Sequence, residues 1–170
     1  MKAVVGIADW YTSDNPEEEI VTYALGSCLG VVVYDSINRI GGILHAMLPF
    51  SREDLKKAKE KPAMYVDTGF GVLINDIFEH GAQKKNLKIY VFGGASMGIN
   101  SKNDHFKIGI RNFTALRKLL WKNAFMIDYK DVGGNISRTV SIRLKDGLVC
   151  VNKKPINGQS NFKNNLKECF

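Results

Sequence analysis

The stretch 28-CLGVVVYD-35 is apolar at odd and even positions alike, with Leu29, Val31 and Val33 on one parity and Val32 and Tyr34 on the other. A half-buried strand alternates apolar and polar residues, so this run predicts a strand covered on both faces. Whatever fold the chain adopts must place something on each side of that strand. Upstream, 20-IVTYAL-25 is rich in β-formers and predicts a short strand, broken by Gly26-Ser27. Downstream, 39-RIGGILHAML-48 predicts another strand, and the turn formers of 35-DSIN-38 make a β-hairpin of the pair.

Two helices are predicted. In 66-VDTGFGVLINDIFEHG-81, Phe70, Leu73, Ile74, Ile77 and Phe78 share one face, Asp67 or Thr68 serves as cap and Gly81 as stop. In 109-GIRNFTALRKLLWKNA-124 the apolar stripe is Ile110, Phe113, Leu116 and Leu120. Between them, 87-LKIYVFGGASMG-98 reads as a strand entering a glycine-rich turn. Phe125 to Val132, Ser137 to Leu144 and Leu148 to Asn152 read as further strands, the last two joined by the Asp-Gly hairpin signal of 145-KDG-147. Pro49 to Pro62 is a charged connection, either a loop or a short exposed helix, and 100-NSKNDHFK-107 is a polar insertion. Without repeats or an interior linker, the chain is one α/β domain over residues 1–152, followed by a polar, flexible tail over 153–170.

Composition limits the function classes. At 170 residues the chain supports one domain with a real core, and its 45% apolar content is that of a folded protein. The longest apolar run, near Leu29 to Tyr34, is far below the ~20 residues of a membrane-spanning helix. The start, MKAVVGIADW, meets Asp9 too soon for the apolar stretch of a signal peptide, so the cytoplasm is the expected compartment. A net charge of +7 favours acidic partners, which includes nucleic acid on charge alone. Cys28, Cys150 and Cys169 are odd in number and widely spaced, so neither a disulfide framework nor a zinc site is indicated. Cys150, inside 148-LVCV-151, is expected to pack in the core and Cys169 to sit in the loose tail.

The hairpin suggests a chemical pair. With Ser36-Ile37 as a two-residue loop, Asp35 faces Asn38 and the cross-strand partner of Cys28 is His45. Directly opposed residues have Cβ atoms roughly 4.5–5.5 Å apart, close enough for a thiol and an imidazole to share a proton. An odd loop or a bulge at Gly41-Gly42 would move His45 off this partner. A neighbouring imidazolium favours the thiolate, which can attack a carbonyl carbon while the imidazolium protonates a leaving amine. Backbone N–H groups of the Gly26-Ser27-Cys28 turn could stabilise the oxyanion, and Thr22 could orient the second ring nitrogen. Taken singly, Cys28 and His45 read as readily as buried core residues. His80 reads as a helix-end residue and His105 as a loop residue, with no metal-ligand spacing among them. The turns 93-GGASMG-98 and 133-GGNISR-138 match no phosphate-binding motif, and Arg138 is a candidate ion-pair residue beside the site.

In combination, 22-TYALGSC-28, 43-ILHAMLP-49, 65-YVDTG-69, 93-GGASM-97 and 133-GGNISR-138 resemble the CheD family of chemoreceptor glutamine deamidases in bacterial chemotaxis. The resemblance runs from about residue 4 to residue 152. It implies a single-domain α/β/β layered sandwich with mixed, largely antiparallel sheets and two main helices. It further implies Cys28 as nucleophile, His45 as its histidine and Thr22 as support, with no metal or organic cofactor; Gly26 and Ser27 remain the oxyanion-turn candidates from the residue reading. The implied reaction is hydrolysis of glutamine side-chain amides on chemoreceptor helices to glutamate. Some members also bind CheC, a phosphatase of phosphorylated CheY, and an adaptor role with little catalysis is the alternative reading. Neither specific nucleic-acid binding, for which only charge speaks, nor membrane insertion, for which the apolar runs are too short, is expected. The sequence departs from the usual pattern at Gly69 and in the 100–107 insertion.

Overall fold

The computed structural model describes residues 1–96, 106–156 and 166–170. The chain opens with strands β1 (Lys2–Val5), β2 (Asp9–Ser13), β3 (Glu19–Leu25), β4 (Leu29–Asp35) and β5 (Ile40–Ala46). It continues through helices α1 (Leu55–Glu60) and α2 (Val66–Glu79), strand β6 (Leu87–Gly93) and helix α3 (Ile108–Lys122). Strands β7 (Tyr129–Val132), β8 (Ile136–Arg143), β9 (Leu148–Pro155) and β10 (Leu166–Cys169) complete it. One sheet has the order β1-β3-β8-β9-β10 and the other β2-β5-β4-β6-β7. Pairing is parallel at β1/β3 and β6/β7 and antiparallel elsewhere.

Strand β4 explains why the sheets stack with helices on one side. Its odd residues Leu29, Val31 and Val33 join Phe70, Leu73 and Ile77 of α2 and Leu116 and Leu120 of α3 in one core. Its even residues Val32 and Tyr34 join Ile20, Ile43, Val140 and Ile142 in a second core between the sheets. The layers are therefore helices, sheet, sheet: the α/β/β sandwich that the sequence implied. Among the described residues, no helix is long and apolar enough to cross a membrane.

Several local expectations change. Strands β1 and β2 were not anticipated, although Val4-Val5 and 10-WYT-12 carry β-formers. Helix α2 begins at Val66 after Tyr65 with no side-chain cap, because the Asp67 carboxylate instead accepts from the Ser51 N–H at 3.0 Å and the Ser51 hydroxyl at 2.9 Å. Thr68 donates to the Pro62 carbonyl at 2.6 Å rather than capping. In α3 the buried face is Gly109, Asn112, Ala115, Leu116 and Leu120, so Ile110 is turned out to solvent. The 100–107 insertion, up to and including His105, lies outside the described residues; Met97 does as well.

The tail is more structured than its composition suggests. Strand β9 runs through Pro155, past the expected boundary at 152, and Leu166–Cys169 returns as β10 against it. That pairing sets Cys169 opposite Cys150, and the two form a disulfide with Cα atoms 4.1 Å apart. The expectation that Cys150 merely packs and Cys169 stays loose is corrected by this cross-strand bond, which joins cysteines 19 positions apart and which their spacing does not reveal. Cys28 is left as the free thiol.

Candidate active site

The site forms where β3, β4 and β5 end beside one another. The hairpin ladder pairs Asp35 with Ile40, Gly30 with His45 and Leu29 with Ala46. His45 therefore faces Gly30, not Cys28, and the expected direct pairing is corrected. Its cause is the loop, which spans Ser36 to Arg39 instead of Ser36-Ile37, while Gly41 and Gly42 stay in regular register. The Asp35 carboxylate builds that loop by accepting from the Ile37 and Asn38 N–H groups, each at 2.9 Å, and Arg39 takes a left-handed conformation at φ 59°. Burial alone would raise the Asp35 pKa, but the N–H donors of Asn38 and Gln83 outweigh it and hold the carboxyl below its usual value.

Cys28 still lies on the His45 side of the sheet. It precedes Gly30 by two residues, so strand alternation gives both the same face and makes Cys28 and His45 diagonal neighbours rather than opposed ones. The half-buried Cys28 accordingly packs against the core between the sheets. Its turn is held by three successive carbonyls. Gly26 O accepts from Ala95 N at 2.9 Å, Ser27 O from Asn112 Nδ2 at 3.0 Å and Cys28 O from Gly94 N at 2.8 Å. In a trans peptide the N–H points opposite the preceding carbonyl, so tying these oxygens inward turns the Ser27 and Cys28 N–H groups the other way.

The histidine is oriented across the two sheets. Thr22, fully buried on β3, donates its hydroxyl proton to Val5 O at 2.9 Å and lies 2.8 Å from His45 Nδ1. With that proton engaged, the hydroxyl oxygen can only accept from the ring, which puts the imidazole proton on Nδ1. Nε2 is thereby a bare lone pair, buried and without a hydrogen-bond partner among the described residues. No hydrogen bond links it to Cys28 in this state. A bulge between Thr22 and Leu25, with Ala24 at φ 56°, marks the end of β3 beside the site. Replacing Thr22 with valine is expected to cost about 1–3 kcal/mol in denaturant unfolding, because two buried groups lose their partner, and to lower any His45-dependent activity by freeing the tautomer.

Burial displaces both titrations outward. It lowers the His45 pKa from 6.5 to about 4 and raises that of the Cys28 thiol. The resting pair is thus neutral thiol and neutral imidazole, not the thiolate and imidazolium expected from the sequence. A stability consequence follows from the sign. Above pH 6.5 both folded and unfolded His45 are neutral; between 6.5 and about 4 the unfolded chain binds a proton that the fold refuses. Stability should therefore fall as pH drops through that window, by up to about 3 kcal/mol. Urea midpoints of the wild type and His45→Gln, compared from pH 7 to pH 4, should converge as the pH falls.

Glycine turns and Arg138 brace this end of the sandwich. Gly133 N donates to Gly93 O and Ser96 N to Gly134 O, both at 2.9 Å, so the two turns are zipped together. Arg138 is buried and pairs with Asp131 at 2.8 Å, as the sequence suggested for an ion pair. A Cβ on Gly109 would collide with the Gly94 and Ala95 carbonyls, so α3 is seated directly on the turn that holds Cys28. Asn112 was missed because a polar residue breaks the apolar stripe by which the helix was read.

A helix-backed pair of sheets, with a free thiol and an oriented imidazole at one end, defines the class of architecture. The particular family comes from comparison. The family profile for CheD chemotactic sensory transduction matches residues 47–153. The probable chemoreceptor glutamine deamidase CheD 1 of Syntrophus aciditrophicus (strain SB) is 44% identical over 148 residues, covering 87% of this chain and 91% of the relative. The probable chemoreceptor glutamine deamidase CheD of Pyrococcus abyssi (strain GE5 / Orsay) is 40% identical over 155 residues, 91% and 93% of the two chains. That of Solibacter usitatus (strain Ellin6076) is 42% identical over 144 residues, 85% and 84%. This chain belongs to the CheD family. The profile match begins after Thr22, Cys28 and His45.

Proposed function

We propose that this protein is a cysteine-dependent protein-glutamine deamidase that hydrolyses glutamine side-chain amides on chemoreceptor helices. The observation that carries the reading is the Thr22–His45 hydrogen bond, which leaves Nε2 unprotonated on the face that Cys28 shares. The names of the relatives, chemoreceptor glutamine deamidases, supply the substrate class.

In the proposed reaction His45 Nε2 takes the Cys28 proton as Sγ attacks the amide carbon. The oxyanion is stabilised by N–H groups of the Gly26-Ser27-Cys28 turn. The protonated Nε2 then gives its proton to the departing nitrogen, releasing ammonia and leaving a thioester. Water, deprotonated by Nε2, attacks that thioester to form glutamate, and the proton returns to the Cys28 sulfur. Because both resting groups are neutral, proton transfer accompanies attack instead of preceding it. A basic chain also suits a receptor helix that grows more acidic as the reaction proceeds.

The absence of a Cys28–His45 hydrogen bond in this state favours a second reading, a chemotaxis adaptor in the cytoplasm that docks the receptor or CheC with little catalysis. Hydrogen bonds of catalytic groups are often long before substrate binds, so the first reading stands. Incubation with a chemoreceptor cytoplasmic fragment decides between them. Mass spectrometry should show conversion of specific glutamines to glutamates; binding without conversion would sink the deamidase reading and leave the adaptor.

A further inference from the structure

We propose that Asn112 is a positioning residue for Cys28 and His45, its side-chain amide clamping the nucleophile turn to the strand that carries the imidazole. The role rests on the reading of these two residues as a reacting pair. The β4/β5 ladder ends at Leu29 and Ala46. Beyond that pair the strands part. Gly26 and Cys28 are drawn toward Ala95 and Gly94 through their carbonyls, while Met47 and Leu48 turn away to donate to Met64 O at 2.9 and 3.0 Å. Since Cys28 and His45 are diagonal rather than opposed, ladder pairing does not fix their separation.

Asn112 closes that gap. Its Nδ2 donates to Ser27 O at 3.0 Å and to Met47 O at 2.9 Å. Ser27 immediately precedes the nucleophile, and Met47 follows the histidine by two residues. Two carbonyls facing one end of the amide require the NH2 there, so the orientation is set by chemistry. The side chain is fully buried in α3, and its Oδ1 has no hydrogen-bond partner among the described residues.

A purely structural choice would look different. Asparagine is a poor helix former, and an unsatisfied buried acceptor is destabilising. Leucine at this position would continue the apolar face of Leu116 and Leu120. What asparagine adds is a pair of donors that reach across the break between two strands.

The test uses the full-length chain with Asn112→Leu, and Asn112→Thr as a smaller change that retains one donor. Thermal melts establish the folded fraction of each. With the receptor fragment, kcat should fall on the order of 10²-fold in Asn112→Leu with KM little changed, the penalty of misaligned reacting groups. A second readout needs no deamidase substrate: the pH profile of native-state iodoacetamide alkylation at Cys28. Asn112→Leu should lose the same component of that profile as His45→Gln, and Asn112→Thr should lose part of it. A folded Asn112→Leu with wild-type kcat, or with an unaltered alkylation profile, overturns the proposal. Should Asn112→Leu not fold, a wild-type profile in Asn112→Thr overturns it. If the wild type itself converts no glutamine, the proposed function fails while the alkylation comparison still judges Asn112.

Discussion

Replacing Cys28 with alanine will leave a folded protein that has lost its deamidase activity, by on the order of 10⁴-fold or more in kcat/KM on a receptor fragment. The fold should tolerate the change because Cys28 serves it mainly through its backbone. Its carbonyl accepts from Gly94 N, and alanine retains that carbonyl. The side chain is half-buried, so truncation should cost no more than about 1 kcal/mol. Cys28→Ser sharpens the result. It keeps the size and a donor, yet its hydroxyl is far less acidic than a thiol of ordinary pKa about 8.5, so it should be nearly as inactive. With Cys150 and Cys169 joined to each other, native alkylation should label Cys28 and vanish in both variants. Glutamine conversion that survives in Cys28→Ala would remove the cysteine mechanism. Receptor binding that survives without any conversion in the wild type would favour the adaptor.

Which parts of this arrangement were legible in the sequence follows from how local each determinant is. The two-sided burial of β4 is written in consecutive residues, 29-LGVVVYD-35, and so was the need for a layer on each face. The hairpin was legible too, but its register was not. Asp35, Ser36, Ile37 and Asn38 suit a two-residue or a four-residue loop equally, and the choice depends on how many N–H groups the Asp35 carboxylate gathers and on Arg39 going left-handed. The family resemblance pointed to Cys28 and His45 through their motifs, whereas the register argument reached the same two residues through a pairing that does not exist, since His45 faces Gly30. Thr22 could be placed on a strand before β4, yet its contact with the ring spans two sheets, a relation that no spacing rule encodes. Asn112 hid for a similar reason, since its partners Ser27 and Met47 are far away in the chain. The β10 strand was missed because it follows β9 only after an asparagine-rich, mostly polar stretch that carries no strand pattern.

The neighbouring glycine turn provides the other large expected effect, in Gly93→Ala. Gly93 has φ 100°, where an L side chain is strained, and a Cβ there would run into the Cys28 carbonyl oxygen. Neither problem has a local remedy. The obstructing atom is backbone, held by Gly94 N, and Gly93 O is itself engaged by Gly133 N. Relief requires moving the Cys28 turn away from β6, which breaks the bonds at Gly94 and Ala95 and shifts Sγ relative to Nε2. A destabilisation of roughly 3 kcal/mol or more is expected from strain and clash together. Activity should fall further than stability alone explains, by on the order of 10²-fold in the molecules that remain folded, because reacting atoms tolerate little displacement. Gly71→Ala is the control. Gly71 lies within α2 with nothing within 4 Å of an added Cβ, so alanine there should raise stability by about 0.5–1 kcal/mol and leave kcat unchanged. Equilibrium unfolding and kcat measured on the same preparations separate the two terms. A Gly93→Ala protein with wild-type kcat per folded molecule would mean that the turn can move without disturbing Cys28, and that its contact with Gly93 serves packing alone.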